Sequence, residues 1–205
     1  MDIYPKRILS VFSGIGGLDL AVKLNFPQSK VVAYIEREAY CQRVLMERMQ
    51  NKTLDEGVIW DDVTTFEGKP WCGIVDCIIG GFPCTDLSVA GRQKGIKQGN
   101  RSGLFYELIR IAGEIRPKTM FMENVTGLLD NRAMGIVLGE LARLGFDAEW
   151  GVFSARDVGS SHLRKRVFIL GYSEHNGQSA AEESRSVEET GSNNTEGANP
   201  SYQSA

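Results

Sequence analysis

Ile8-Leu9-Ser10-Val11-Phe12 runs directly into Ser13-Gly14-Ile15-Gly16-Gly17, and Leu18, Leu20, Ala21 and Leu24 then recur at helical spacing. A short apolar run, a glycine break and a 3.6-residue period read as strand, tight turn and helix. The same unit repeats along the chain. Val31 to Ile35 predicts a second strand ending at Glu36, and Tyr40, Val44 and Leu45 predict a helix continuing to about Met49. Val58-Ile59-Trp60 is a weaker strand, followed by Asp61-Asp62-Val63, and residues 74–79 form a strand that stops at Gly80-Gly81-Phe82-Pro83-Cys84. Leu104, Leu108, Ile111, Ala112 and Ile115 predict an amphipathic helix ended by Pro117. Thr119 to Met122 is a strand stopping at Glu123-Asn124-Val125, and a helix over about 133–144 ends at Gly145. Residues 146–153 and 167–172 look like a closing pair of strands. Strands alternating with helices imply an α/β fold, a doubly wound and mostly parallel sheet covered on both faces.

The 205 residues suffice for one well-buried domain, expected over 1–173, and 42% hydrophobic content is ordinary for a globular protein. From Ser173 onward Ser, Asn, Gly, Glu, Gln and Thr dominate, so residues 174–205 are expected to be a disordered tail or a linker. That tail holds six Glu against one Arg, leaving 22 basic and 20 acidic side chains in residues 1–173. The mildly basic body permits a nucleic-acid partner without establishing one. No apolar run is long enough to span a bilayer, and the first seven residues lack signal-peptide order. Cys41, Cys72, Cys77 and Cys84 show no Cys-x-x-Cys spacing and the histidines are His162 and His175, which argues against a metal site. Reduced thiols suit a cytoplasmic protein.

The chemistry-bearing residues lie where strands end. In open α/β sheets that edge binds ligands. Cys84, presented there by Gly80-Gly81-Phe82-Pro83, is a candidate nucleophile, against the plainer reading of a small buried hydrophobe. The first glycine turn lets a ligand approach the backbone, and its free N–H groups attract anionic groups. A dinucleotide fingerprint would need a small residue where Asp19 stands, which weakens a nicotinamide reading. Glu36 is placed to accept ribose hydroxyls and Asp62 an adenine amine, although each could instead be a helix-start carboxylate. An adenosyl-type cofactor is favoured. Neighbouring parallel strands would set Glu123 at the same edge as Cys84, as a buried carboxyl with a raised pKa able to hold a proton near a ring nitrogen, against the plainer reading of a helix-start carboxylate before Thr126. Arg164 and Arg166 alternate at the start of a strand, so they are expected to point to one side, either to hold a phosphate or a base carbonyl or as an ordinary solvated strand edge. A thiolate, an acid and guanidiniums without metal ligands suit covalent activation of an electron-poor pyrimidine ring.

These residues resemble the C5-cytosine DNA methyltransferase family. Phe12-Ser13-Gly14-Ile15-Gly16-Gly17 is similar to its first cofactor motif, and Gly81-Phe82-Pro83-Cys84-Thr85-Asp86-Leu87-Ser88 to its nucleophile motif. Arg101-Ser102-Gly103-Leu104-Phe105 resembles the opening of the following helix, and Glu123-Asn124-Val125 the Glu-Asn-Val motif. His162-Leu163-Arg164-Lys165-Arg166 resembles the Gln-x-Arg-x-Arg element, with His in the Gln position. The resemblance covers about residues 7–173. It implies a Rossmann-like S-adenosylmethionine-dependent methyltransferase fold acting on a cytosine flipped out of double-stranded DNA. Cys84 would attack C6, Glu123 would contact N3 and the exocyclic amine, Arg166 the O2 side, and Arg164 the loop or a phosphate. S-adenosylmethionine would contact Phe12, Gly14, Gly16, Gly17, Leu18, Glu36, Asp62, Val63, Pro83 and Leu104. Residues 88–99, with Gly91, Gly95 and Gly99, look like the loop that closes over the flipped base.

After Ser173 nothing resembles the family's target-recognition region or its closing Asn-containing segment. A truncated or non-catalytic subunit, completed by a separate C-terminal or target-recognition polypeptide, is therefore the competing class. An RNA cytosine methyltransferase ranks lower, because a second Thr-Cys motif is missing. The family resemblance adds an expected prokaryotic or phage-like setting, in restriction-modification.

Overall fold

The structure, a computed structural model, describes residues 5–83, 103–129 and 133–173. In chain order the elements are β1 (Arg7–Val11), α1 (Gly17–Asn25), β2 (Lys30–Ile35), α2 (Ala39–Gln50), β3 (Val58–Trp60), β4 (Cys77–Gly80), α3 (Leu104–Ile115), β5 (Thr119–Val125), α4 (Ala133–Arg143), β6 (Asp147–Ser154) and β7 (Lys165–Tyr172). One seven-stranded sheet runs in the order β3-β2-β1-β4-β5-β7-β6. The first five strands are parallel to their neighbours, and β7 runs antiparallel to both β5 and β6.

The alternation of side chains along each strand sorts the core into two layers. On one face Ile8, Tyr34, Cys77 and Ile79 pack with Val22 of α1 and with Leu45 and Met49 of α2. On the other, Leu9, Val11, Ile35, Ile78, Met120 and Ile169 pack with Phe105, Leu108, Ile111 and Ile115 of α3 and Val137 and Leu141 of α4. β1 is buried on both faces, which is why its sequence reads as a continuous apolar run rather than an alternation.

The α1 face is only partly covered. Over β4, β5 and β7 a groove of about 780 Å³ opens beside α1, lined among others by Leu18, Val22, Phe121, Phe168, Leu170 and Tyr172. Phe121 and Phe168 stack across it at 5.8 Å, while Leu170 and Tyr172 remain exposed. No helix of the described residues lies over it.

Two strand boundaries differ by three residues from the sequence-based expectation. β4 begins at Cys77 rather than Ile74, because Ile74 and Val75 donate to the Trp71 carbonyl in a turn. Asp76 then accepts from the backbone N–H groups of Lys6 and Arg7, which sets where β4 joins β1. β5 extends through Val125, because pairing with β7 continues to Arg166. Glu123 is thus inside a strand. The expected tail, residues 174–205, lies outside the described residues.

Gly80 ends β4 against β1, and a Cβ there would overlap the Val11 carbonyl oxygen. Gly80→Ala must therefore push these central strands away from each other or shift the turn that follows. Overpacking of this kind costs about 2 kcal/mol, to be read as a lowered midpoint in urea unfolding. An unchanged midpoint would show that β1 and β4 have slack at this point.

Candidate active site

Because β1 to β5 are parallel, their C-terminal ends share one edge of the sheet. The chain order reverses between β1 and β4, so the loops leaving these two strands diverge and open a crevice. The glycine turn after β1 and the Phe82-Pro83 exit from β4 flank it, with Val11 and Gly80 paired at its floor.

Several features bend the first turn toward that crevice. Phe12 has a left-handed backbone (φ 56), uncommon for a bulky side chain, and Gly14 (φ 56) and Gly16 (φ 81) follow in the same region. Gly16 precedes α1 with a left-handed backbone that would strain any side chain, and it supplies no side-chain cap, so the first N–H groups of the helix, at Gly17 and Leu18, stay open to a ligand. Glu36, at the end of β2, is buried; its carboxylate accepts from Gly14 N at 2.6 Å and Glu38 N at 2.8 Å. Each oxygen keeps a further lone pair for a hydroxyl donor. Gln42 Nε2 donates to the Glu36 carbonyl, and Glu36 N to the Trp60 carbonyl, tying the ends of β2 and β3 together.

Asp62 does cap a short 3-10 turn over Val63–Thr65. Its Oδ1 accepts from Thr64 N at 2.9 Å and Thr64 Oγ1 at 2.7 Å, and the backbone bond in particular holds its carboxyl below the ordinary range. The helix-start role and an exposed second oxygen coexist in one side chain. Val63 is buried beneath it.

On the other side of the crevice, Glu123 of β5 and Arg166 of β7 form an ion pair, Nε to Oε1 at 2.6 Å. Antiparallel pairing makes this meeting possible, since β7 starts at the edge where the parallel strands end. Glu123 is not the buried, desolvated carboxyl expected from the sequence. Its side chain is 29% exposed and its charge is matched by the guanidinium. The exit from β4 passes close to it: a Cβ on Gly81 would lie 3.2 Å from Glu123 Oε2. The next residue of β5, Asn124, points the other way and is buried, donating from Nδ2 to the Phe82 carbonyl at 3.1 Å. That bond pins the backbone leading into Pro83. Sequence reading missed this role, although the in/out alternation of a strand implies that the neighbour of Glu123 faces the opposite layer.

Arg164 behaves differently from Arg166. It precedes β7, with a left-handed backbone (φ 28) and an exposed side chain. The two-residue alternation that would set both arginines side by side therefore does not apply. Leu163, just before it, is held by Ala155 N and Ser154 Oγ, and the chain turns there instead of extending. Leu104 opens α3, and Pro83 is the last described residue before Cys84. Cys84 itself and the 88–99 loop lie outside the described residues. No group of three or more His, Cys, Asp or Glu arranged to hold a metal occurs among the described residues. Among them, too, no helix is long and apolar enough to cross a membrane.

The sequence profile of the C-5 cytosine-specific DNA methylase family matches residues 6–202. The chain belongs to that family. It is 36% identical over 167 residues to the Type II methyltransferase M.NgoMIV of Neisseria gonorrhoeae, covering 79% of this chain and 50% of that protein. It is 30% identical over 165 residues to the Type II methyltransferase M.CviJI of Paramecium bursaria Chlorella virus IL3A, covering 80% of this chain and 42% of the relative. The chain thus spans about half the length of the curated relatives it matches. Solved structures give the same fold. A DNMT2 variant of Spodoptera frugiperda superposes with a TM-score of 0.68 at 20% identity, over 83% of this chain and 51% of that one. The S. pombe Dnmt2 methyltransferase gives 0.65 at 20% identity, over 85% and 51%.

Proposed function

We propose that this C5 methylase chain carries the cofactor-binding and catalytic part of a DNA (cytosine-5-)-methyltransferase that uses S-adenosylmethionine. The Glu123–Arg166 pair carries the reading, because it stands at the crevice edge one strand from the turn that leads into Cys84. An acid and a guanidinium at that place suit a pyrimidine ring bearing N3, an exocyclic amine and O2.

The residues around the first turn fit an adenosyl cofactor. Open N–H groups at Gly17 and Leu18 suit its carboxylate, spare lone pairs on Glu36 suit ribose hydroxyls, and the outer oxygen of Asp62 suits the adenine amine. Phe12, Gly14, Gly16, Val63, Pro83 and Leu104 would complete the walls. When bound, the cofactor supplies an electrophilic methyl group. Cys84, as thiolate, adds to C6 of a flipped cytosine, which turns C5 into a nucleophilic carbon. A proton shared between Glu123 and N3 neutralises the negative charge that develops on the ring, Glu123 accepts from the exocyclic amine, and Arg166 keeps Glu123 oriented and faces the O2 side. After transfer a water at the crevice takes the C5 proton, the electron pair of that bond expels sulfur from C6, and the thiolate is restored. Arg164, exposed ahead of β7, is assigned to a phosphate or to the loop. Residues 88–99 are assigned to closure over the base.

The uncovered groove favours a second statement, that the chain works together with a further polypeptide segment of the kind its relatives carry beyond the matched half. Among the described residues the groove holds about 780 Å³, and Leu170 and Tyr172 stand exposed beside the stacked Phe121 and Phe168, an apolar surface of the kind that takes a partner segment.

The test is covalent trapping. The chain is mixed with labelled S-adenosylmethionine and duplex DNA containing 5-fluorocytosine, whose fluorine blocks the last elimination. A denaturant-stable adduct, present with Cys84 and lost in Cys84→Ser, is the expected result. Cofactor binding without any adduct, and none on adding a C-terminal fragment from a relative, would sink the catalytic reading in favour of a non-catalytic subunit.

A further inference from the structure

On the side of the sheet opposite the groove, α3 makes a set of polar contacts that the reaction scheme does not use. Arg110 lies between the buried Ile109 and Ile111, and its guanidinium reaches across to the segment that follows β3. Nη2 donates to the Val63 carbonyl at 3.0 Å and Nη1 to the Phe66 carbonyl at 3.0 Å. Glu107 Oε2 accepts from Nε at 2.8 Å and Glu114 Oε1 from Nη1 at 2.9 Å, so two carboxylates on the same helix hold the guanidinium in place. Glu114 Oε2 accepts in turn from Gly68 N at 2.7 Å. Three backbone groups over residues 63–68 are thereby fastened to one turn and a half of α3.

These contacts differ in worth. Ion pairs between half-exposed side chains on one helix contribute a few tenths of a kcal/mol. The bonds to the two carbonyls are charge-assisted and join segments 44 and 47 residues apart, so they decide where residues 62–66 sit. The same helix is fixed at its other end to the turn after β4: Phe105 packs on Phe82 with ring centroids 4.9 Å apart, and Asn124 holds the Phe82 carbonyl. One rigid helix therefore touches both the wall carrying Asp62 and Val63 and the backbone entering Pro83-Cys84.

We propose that Arg110 is a positioning residue: through the Val63 and Phe66 carbonyls it sets the Asp62 carboxylate against the adenine ring, and through α3 it locks that wall to the Phe82-Pro83 turn. This rests on the adenosyl-cofactor reading above. Arg110 touches neither cofactor nor substrate; it acts by fixing the backbone of Asp62.

The experiment measures binding of S-adenosylhomocysteine and of S-inosylhomocysteine, which presents a carbonyl where adenine presents its amine, by calorimetry on the full chain. The unmutated protein is expected to prefer the adenosyl form. Arg110→Ala is expected to weaken adenosyl binding about 10-fold and to erase most of the preference, as Asp62→Ala does. The double variant should be no weaker than the worse single one, because both substitutions remove the same contact. Arg110→Lys keeps a cation between Glu107 and Glu114 but cannot span both carbonyls; it should fold normally and still lose the preference. Retention of the full preference in Arg110→Lys and Arg110→Ala, with losses that add to that of Asp62→Ala, overturns the positioning role alone. Failure of the unmutated chain to bind either compound overturns the cofactor reading and this inference with it.

Discussion

Arg166→Ala is expected to slow methyl transfer by roughly 10²–10³-fold, as loss of one preorganised electrostatic partner does at other active sites. The expectation comes from geometry. Arg166 Nε lies 2.6 Å from Glu123 Oε1, and both side chains are only about a quarter exposed, so neither finds full solvation if its partner leaves. Truncating the arginine leaves a carboxylate with no fixed orientation beside the turn into Cys84, and it removes the positive charge assigned above to the O2 side of the ring. Binding of the cofactor, on the far side of the crevice, should change little. Arg166→Lys should recover some of the rate, since a point charge can meet one oxygen but lacks the planar fork that fixes direction. Single-turnover measurement of adduct formation on 5-fluorocytosine DNA separates these cases. Equal rates for Arg166→Ala and the unmutated chain would remove the pair from the mechanism.

That pair also shows how far the sequence could be read. The strand–turn–helix units were legible because buried parallel strands produce continuous apolar runs and glycine breaks. β1, α1, β2, α2, β3 and α3 accordingly fall within a residue or two of their expected limits. The convergence of Phe12 to Gly17, Glu36, Asp62, Pro83 and Glu123 on one edge followed from parallel connectivity, a rule that needs no side-chain detail. What stayed hidden depended on pairing across the sheet. Only the β5–β7 register places Arg166 against Glu123 and replaces a desolvated acid by an ion pair. Arg164 was misplaced for a similar reason. Alternation holds only inside a strand, and with the Leu163 carbonyl turned toward Ala155 N and Ser154 Oγ the strand begins only at Lys165, one residue after Arg164. Arg110 was silent because Glu107, Arg110 and Glu114 at helical spacing look like an ordinary solvated face, and the carbonyls it reaches lie 44 and 47 residues away.

Asp19→Asn is expected to make the protein more stable at neutral pH, by up to about 3 kcal/mol. Asp19 stands in the first turn of α1, where the helix terminus favours negative charge by about 0.3–1 kcal/mol. Burial works against it and wins. The side chain is 1% exposed, packed between α1 and β1, and neither oxygen has a hydrogen bond of good geometry, although Ser10 lies close enough to soften the effect. Desolvation, the largest cause, with the nearby charge of Asp55 adding a little, raises its pKa from 3.8 to about 6. Tyr34, whose hydroxyl donates to the Asp55 carbonyl, lies within reach of the Asp19 charge, and Asp55 itself is paired with Lys23 at 2.9 Å.

The sign follows from linkage. An acid whose folded pKa lies above its unfolded value binds its proton more tightly in the folded state. Its contribution is therefore intact below about pH 4 and is lost as pH rises through about 6, after which the folded protein carries an uncompensated buried charge. Asparagine has nearly the same shape and no charge to desolvate, so the variant should lack this segment of pH dependence. Urea unfolding of both proteins at several pH values between about 4 and 8 reads the difference directly. The two stabilities should diverge with rising pH, with most of the change between about pH 4 and 6. Parallel curves over that range would mean that Asp19 is satisfied in solution, and that the first turn of α1, on which the proposed cofactor site depends, carries no such strain.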